Sequence, residues 1–198
     1  MSRELPILFN TEMVRAILDG RKDATRRIVK DFIPDDAVWG YTAFTHKGYI
    51  SCRGTFADGD GEKFFKLPCE PGDILYVRET WKKAPNGYYY YEDWQRNDIA
   101  DVTKWKPSIH MPKGAARIWL KVTDVRVERL QEITIDDIRN EGLSSMAVHA
   151  GDMEIAIEEW KNLWNSTIKK SDLDRYGWDA NPWVWVIEFE RCEKPEGV

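Results

Sequence analysis

Gly20 sets the strongest constraint on how this chain can fold. Upstream of it, Met13, Val14, Ile17 and Leu18 recur at helical spacing and form an apolar stripe that must pack on a core. Asn10 or Thr11 can cap that helix by accepting a free backbone N–H. Ahead of the cap, Leu5-Pro6-Ile7-Leu8-Phe9 reads as a short apolar strand. Glycine takes a left-handed backbone at least cost, so the helix is expected to stop sharply. Lys22 to Thr25 are then expected in the turn, with Arg26-Arg27-Ile28-Val29 opening a strand.

The eight residues Gly20-Arg21-Lys22-Asp23-Ala24-Thr25-Arg26-Arg27 carry four basic side chains and one hydroxyl. From Met1 to Lys30 there are seven basic residues against four acidic ones, whereas the whole 198-residue chain has a formal net charge of -5. A protein that coats duplex DNA through many phosphates is usually basic. A nucleic-acid contact here should therefore be local: one nucleotide, a loop or a single strand. Most basic turns are solvated surface. These cations, however, alternate with Gly and Thr after a defined helix end, and such a cluster focuses positive potential on a phosphate or a carbonyl-bearing base.

The remainder reads mainly as scaffold. Between Asp31 and Glu70, Gly48, Gly54, Gly59 and Gly61 punctuate short aromatic and β-branched runs, and Asp58-Gly59-Asp60-Gly61 is a turn signal. This predicts an inserted β-meander, too short to bury much as a second domain. After the turn Pro71-Gly72-Asp73, Ile74 to Trp81 reads as a buried strand containing the charged pair Arg78-Glu79. Tyr88 to Tyr91 reads as an edge strand, and Ala115 to Val127 as the longest strand. Two prolines make Trp105 to Pro112 a shaped loop. Thr134-Ile135-Asp136-Asp137 resembles a capping box with Asp in place of Glu, opening a helix that runs to Glu141 and ends at Gly142. A second helix spans Asp152 to Ile168, with Ala156, Trp160, Leu163 and Trp164 as its stripe. A polar loop follows from Lys169 to Asn181. Pro182 to Phe189 closes the domain as an apolar strand, and a disordered tail is expected after Cys192.

The element order predicts an α+β chain. Its centre is one small β-barrel with helices at its ends, in a single domain over residues 1–198 with insertions near 31–70, 82–113 and 145–180. Ten tryptophans and eight tyrosines are mostly core packing, with a minority as stacking platforms for bases. Three widely spaced cysteines argue against a disulfide framework and a zinc site, and for a reducing cytosol. The histidines His46, His110 and His149 show no ligand spacing, so no metal and no cofactor is expected. No apolar run is long enough to cross a membrane, and Met1-Ser2-Arg3 leads into no signal-peptide core. A cytoplasmic protein with no membrane partner is expected.

Gly20-x-Lys22-x-x-Thr25-x-Arg27 after an amphipathic helix resembles the signature of the ASCH domain, a relative of the PUA RNA-binding barrel. The stretch Pro71 to Glu79 is similar to that family's Gly-Asp strand. Trp105 to Pro112, Arg126 to Ile133 and Asn181 to Trp185 are similar to its phage and prophage branch. Asp23 departs from the threonine often found after the lysine. The resemblance implies a PUA-like β-barrel with a cleft lined by the signature turn. It implies RNA, single-stranded nucleic acid or a modified nucleoside as partner. A small bacterial member removes the acetyl group of N4-acetylcytidine, and its catalytic lysine and threonine fall on Lys22 and Thr25. Its catalytic glutamate falls on Glu141 by helix position and one identical residue. Other relatives bind or cleave RNA.

With a reference pKa near 10.4, about one lysine in a few thousand is neutral at pH 7. Lowering it to about 7.5 takes roughly 4 kcal/mol. Burial and the neighbouring arginines push Lys22 that way, whereas Glu141 pushes back. The two therefore cannot both be simple bases in contact. Either Glu141 moves protons while Lys22 stays charged and holds the oxyanion, or a water separates them. On a helical wheel Glu141 lies about 60° from Ile138, at the edge of the apolar face. Arg21, Arg26, Arg27, Arg78, Glu79, Trp105, Ser108, His110 and Arg117 are the candidate ligand-binding residues. A hydrolase on a modified nucleoside, a binding module without turnover, and a phage interaction protein are the alternative readings.

Overall fold

In a computed structural model describing residues 2–97 and 103–195, the chain begins with β1 (Glu4–Leu8), α1 (Thr11–Leu18) and β2 (Ala24–Ile28). Asn10 caps α1 by accepting from the Met13 N–H at 2.9 Å, and Val14, Ala16 and Ile17 are its buried face. Three antiparallel strands follow: β3 (Val38–Gly40), β4 (Tyr49–Phe56) and β5 (Gly59–Lys66). They form the expected meander, and Ile50 and Leu67 fasten it to the main core. Next come β6 (Ile74–Arg78), the hairpin β7 (Trp81–Ala84) and β8 (Gly87–Tyr90), and a short helix α2 (Tyr91–Gln95).

The second half runs through β9 (Trp119–Arg129), α3 (Ile135–Asn140), α4 (Met146–Ala150), α5 (Met153–Thr167), α6 (Leu173–Tyr176) and β10 (Trp183–Cys192). The fold is mixed α+β. Its principal sheet has the order β1-β6-β9-β10-β2, with β1 and β6 parallel and the other neighbours antiparallel. The described pairings leave β1 and β2 as the end strands. A side chain joins them: Arg27 Nη2 donates to the Leu8 carbonyl at 2.9 Å.

β10 explains its own unbroken apolar run. Trp185, Ile187 and Phe189 face one core, shared with α1, β6 and β9, while Val184 and Val186 face a second core under α3, α4 and α5. A strand covered on both faces needs no polar alternation. Six tryptophans are buried, including Trp160, Trp164 and Trp178 in the second core, so the chain's aromatic excess is largely core material.

Several boundaries differ from expectation. β2 starts at Ala24, because Asp23 already bonds across: its N–H donates to the Asn140 carbonyl and its carbonyl accepts from the Phe189 N–H. Thr25 is thereby in the sheet and not in the turn. The run from Ile74 breaks after Arg78, and Trp81 pairs instead with Tyr90 in the β7–β8 hairpin. β9 begins at Trp119, since a 3-10 turn at Lys113–Ala115 precedes it. The unforeseen α4 has readable signals, a Ser145 cap and Gly151 at φ 76°. The tail expected beyond Cys192 has no helix or strand over 193–195, and its last three residues lie outside the described residues. Among the described residues, no helix is long and apolar enough to cross a membrane.

Cys52 and Cys69 are buried, and burial pushes their thiols up to about 11 and about 12. At pH 8 a thiol-reactive chromophore should label at most Cys192 in the native protein and all three cysteines in urea. Rapid native labelling of Cys69 would contradict this packing.

Candidate functional site

Two chain reversals bring the site together. Gly20, at φ 70°, ends α1, and the Arg21 and Lys22 N–H groups then donate to the Ala16 carbonyl at 2.8 and 3.2 Å. Thr134 and Asp137 cap α3 reciprocally, so aspartate performs the role expected of glutamate. Glu141 is the C-cap that follows α3, and Gly142 at φ 92° turns the chain away. A Cβ on Gly142 would lie 2.7 Å from Ala16 Cβ and 3.0 Å from Lys22 Cβ. Glycine is thus required twice, for backbone sign and for space. Lys22 and Glu141 meet there in an isolated antiparallel bridge.

Their side chains are essentially buried, at 0% and 2% exposure. Lys22 Nζ donates to Glu141 Oε2 at 2.6 Å, to the Ala24 carbonyl at 2.7 Å and to the Glu141 carbonyl at 3.0 Å. An ammonium has three protons, so every donor is committed. The contact is direct and no water separates the pair. Burial pushes Lys22 below its ordinary pKa, Glu141 pulls it up, and Arg27 and Arg26 push it down again; the net direction is down.

Arg26, equally buried, lies between acids. Nη2 is 3.3 Å from both Glu128 Oε2 and Asp137 Oδ1, and Nη1 is 3.5 Å from Glu141 Oε1. Arg126 extends this network to Asp124, Glu128, Asp137 and Glu188. The turn is therefore not an open basic patch: two of its four cations are inside the protein and neutralised. Sequence reasoning missed Glu128, Arg126 and the second role of Asp137. The alternation of β9 could have suggested Arg126 and Glu128 as same-face neighbours.

Glu141 also lines a cleft of about 490 Å³ with Asn10, Met13, Arg21, Leu143 and Ser144. Its Oε1, although buried, has no hydrogen-bond partner among the described residues. Arg21 forms the rim, donating to the Gly142 carbonyl at 2.7 Å and to Asp19 at 3.1 Å. Thr25 is buried in β2 opposite Ile187, on the strand face it shares with Arg27. Lys22 Nζ and the Arg27 guanidinium lie 5.5 and 5.3 Å from the centre of the same ring, Phe9.

The other candidates sit apart. Arg117 forks onto Glu79 at 2.9 and 3.0 Å, reaches Asp93 at 2.7 Å and stacks on Tyr90. Burial raises the Glu79 carboxyl and Arg117 opposes it. Arg78 donates to the Ile109 carbonyl, which brings the turn of Ser108 and His110 over it. Trp105 packs edge-on against Tyr91 and Trp94.

No family model matches the chain. It is similar to oxysterol-binding protein homolog 7 of Saccharomyces cerevisiae, with 25% identity over 142 residues. That match covers 67% of this chain and 31% of the yeast protein, so the chain spans less than a third of that relative. One similar solved structure is an ASCH domain from Lactobacillus crispatus JV V101, with 10% identity, 96% of this chain and 79% of that one covered, and a TM-score of 0.41. A hypothetical protein shows 14% identity, 96% and 99% coverage and a TM-score of 0.41. A protein from Enterococcus faecalis V583 shows 8% identity, 100% and 85% coverage and a TM-score of 0.39.

Replacing Gly142 with alanine should destabilise the protein by about 2–4 kcal/mol, from backbone strain plus overpacking. Urea melts would show it, and an unchanged midpoint would contradict the close approach. Asp137 is pushed up by burial, but Thr134 and Arg26 hold it below its ordinary pKa. Its stabilisation is present above about pH 4 and lost as pH falls through the lower folded value. Asp137→Asn should therefore flatten the acid side of the stability profile, as read by melts from pH 7 downwards.

Proposed function

We propose that this chain is an ASCH-type protein that takes a modified nucleoside or nucleotide into the cleft beside Glu141 and hydrolyses an acyl amide on it. One observation carries the reading. A buried lysine touches a buried carboxylate whose second oxygen accepts no hydrogen bond among the described residues, with Arg26 Nη1 3.5 Å away, and which lines a cleft of nucleoside size. A lysine whose ammonium is disfavoured by burial, in contact with a carboxylate, is suited to a site of charge stabilisation and proton transfer.

Glu141 Oε1 accepts the proton of the nucleophile, the Thr25 hydroxyl, as it attacks the acyl carbon. Lys22 stays charged and exchanges its bond to the Ala24 carbonyl for one to the developing oxyanion. Glu141 then protonates the departing amine as the C–N bond breaks. Water attacks the acyl–threonine ester, again giving its proton to Glu141, which returns it to the Thr25 oxygen as the acid leaves. The balance is amide plus water to amine plus carboxylic acid.

A second reading has its own support. Every Lys22 donor is already bound within the protein. This favours a module that binds RNA or single-stranded nucleic acid without turnover, the pair serving as an internal tie.

Incubation with N4-acetylcytidine and a panel of acylated nucleosides, followed by mass spectrometry, separates the two. The hydrolase yields the free amine and the acid, and Glu141→Gln slows turnover by about a hundredfold or more while a thermal melt confirms folding. Thr25→Val should stop turnover and retain binding. No product across the panel, with binding intact, leaves the binding module.

A further inference from the structure

Two guanidiniums unused by the Lys22–Glu141 pair converge at the end of β1. Arg27 of β2 donates to the Leu8 carbonyl at 2.9 Å. Arg78 of β6 stands opposite Leu8 in the parallel β1–β6 register and donates to the Ile109 carbonyl. A cleft of about 360 Å³ opens here, lined by Pro6, Ile7, Leu8, Arg27 and Arg78.

The cations of this cleft differ from the arginines of the ion-pair networks. Arg15, Arg26, Arg117 and Arg126 are each held by carboxylates. Among the described residues, neither Arg27 nor Arg78 forms an ion pair, and the acceptors they do have are backbone carbonyls. Arg78 Nε is buried with no hydrogen-bond partner among the described residues. Burial pulls Arg27 below its ordinary pKa, and Glu141 opposes that pull. In a chain of net charge -5, two adjacent cations without a carboxylate call for an anion from outside. The guanidinium fork matches phosphate oxygens in shape and charge.

The buried ring of Phe9 lies beside one cation of each site. The ring lies within 5.5 Å of Lys22 Nζ and 5.3 Å of the Arg27 guanidinium, so the two cations are no further apart than the sum of those distances. That is within the reach of a single nucleotide from base to phosphate. We propose that Arg27 and Arg78 form a phosphate subsite, so that the ligand of this protein is a nucleotide or a nucleotide unit of RNA and not a free nucleoside. The proposal rests on the reading of the Glu141 cleft as a base site.

Calorimetric titration at low ionic strength with cytidine, cytidine 5′-monophosphate and a short oligocytidylate tests it. The monophosphate should bind about tenfold or more tightly than cytidine. Arg27→Gln with Arg78→Gln should erase that preference, and the corresponding lysine pair should restore part of it, since charge returns without the fork. Tighter binding of the oligocytidylate than of the monophosphate assigns the site to backbone phosphate, and the reverse assigns it to a terminal one. Equal binding of cytidine and its monophosphate, no binding of the monophosphate, or a preference that survives in a folded glutamine pair overturns the proposal. Turnover is not the readout. Hydrolysis of N4-acetylcytidine without phosphate preference keeps the hydrolase and removes this site, and phosphate preference without hydrolysis does the reverse.

Discussion

The contact between the Lys22 ammonium and the Glu141 carboxylate is the constraint on which the surrounding structure depends. Taking two such charges out of water costs several kcal/mol per ion, which only close geometry and further hydrogen bonds offset. Both are supplied: the pair meets at 2.6 Å, and Lys22 gains two backbone carbonyls. That geometry needs two helix ends to arrive side by side. α1 ends at a left-handed glycine that directs Lys22 inward, and α3 ends at another that lets its backbone approach Lys22 Cβ. The α3 cap is tied in as well, because Asp137 both closes the capping box and faces Arg26.

Six basic residues of this acidic chain fall into three environments. Lys22 and Arg26 are buried and neutralised by carboxylates from α3 and β9. Arg21 and Arg117 are partly exposed but committed to protein acceptors. Arg27 and Arg78 keep spare donors beside a cleft. Cations of similar rank in the sequence thus differ in what they can offer a ligand. The proposed proton transfer draws on the first environment and the proposed anion recognition on the third.

Much of the scaffold was legible because its signals are local. The stripe and stop of α1, the Thr134 cap and Gly142 stop of α3, the stripe of α5 and the apolar run of β10 all lie at their expected places. Misplaced boundaries share a cause, which is competition between partners. β2 begins early because Asp23 bonds to both α3 and β10, and the strand from Ile74 breaks because Trp81 has a better partner in Tyr90. Such bonds depend on what is nearby in space, and that carries no periodicity.

The amino-acid order by itself determined an α+β chain, the helix ends and their glycines, and a short list of polar residues suited to chemistry. Only the tertiary structure decided which of those residues meet. Lys22 and Glu141 are 119 positions apart, and their hydrogen bond forms because sheet pairing and two capped helix ends close that distance. The same packing buried Arg26 among acids and left Arg27 and Arg78 with backbone carbonyls and no carboxylate partner among the described residues. Side-chain period reports which face a residue occupies. The charge of the opposite face is supplied by distant segments, and that charge sets whether a cation is an internal tie or a free donor.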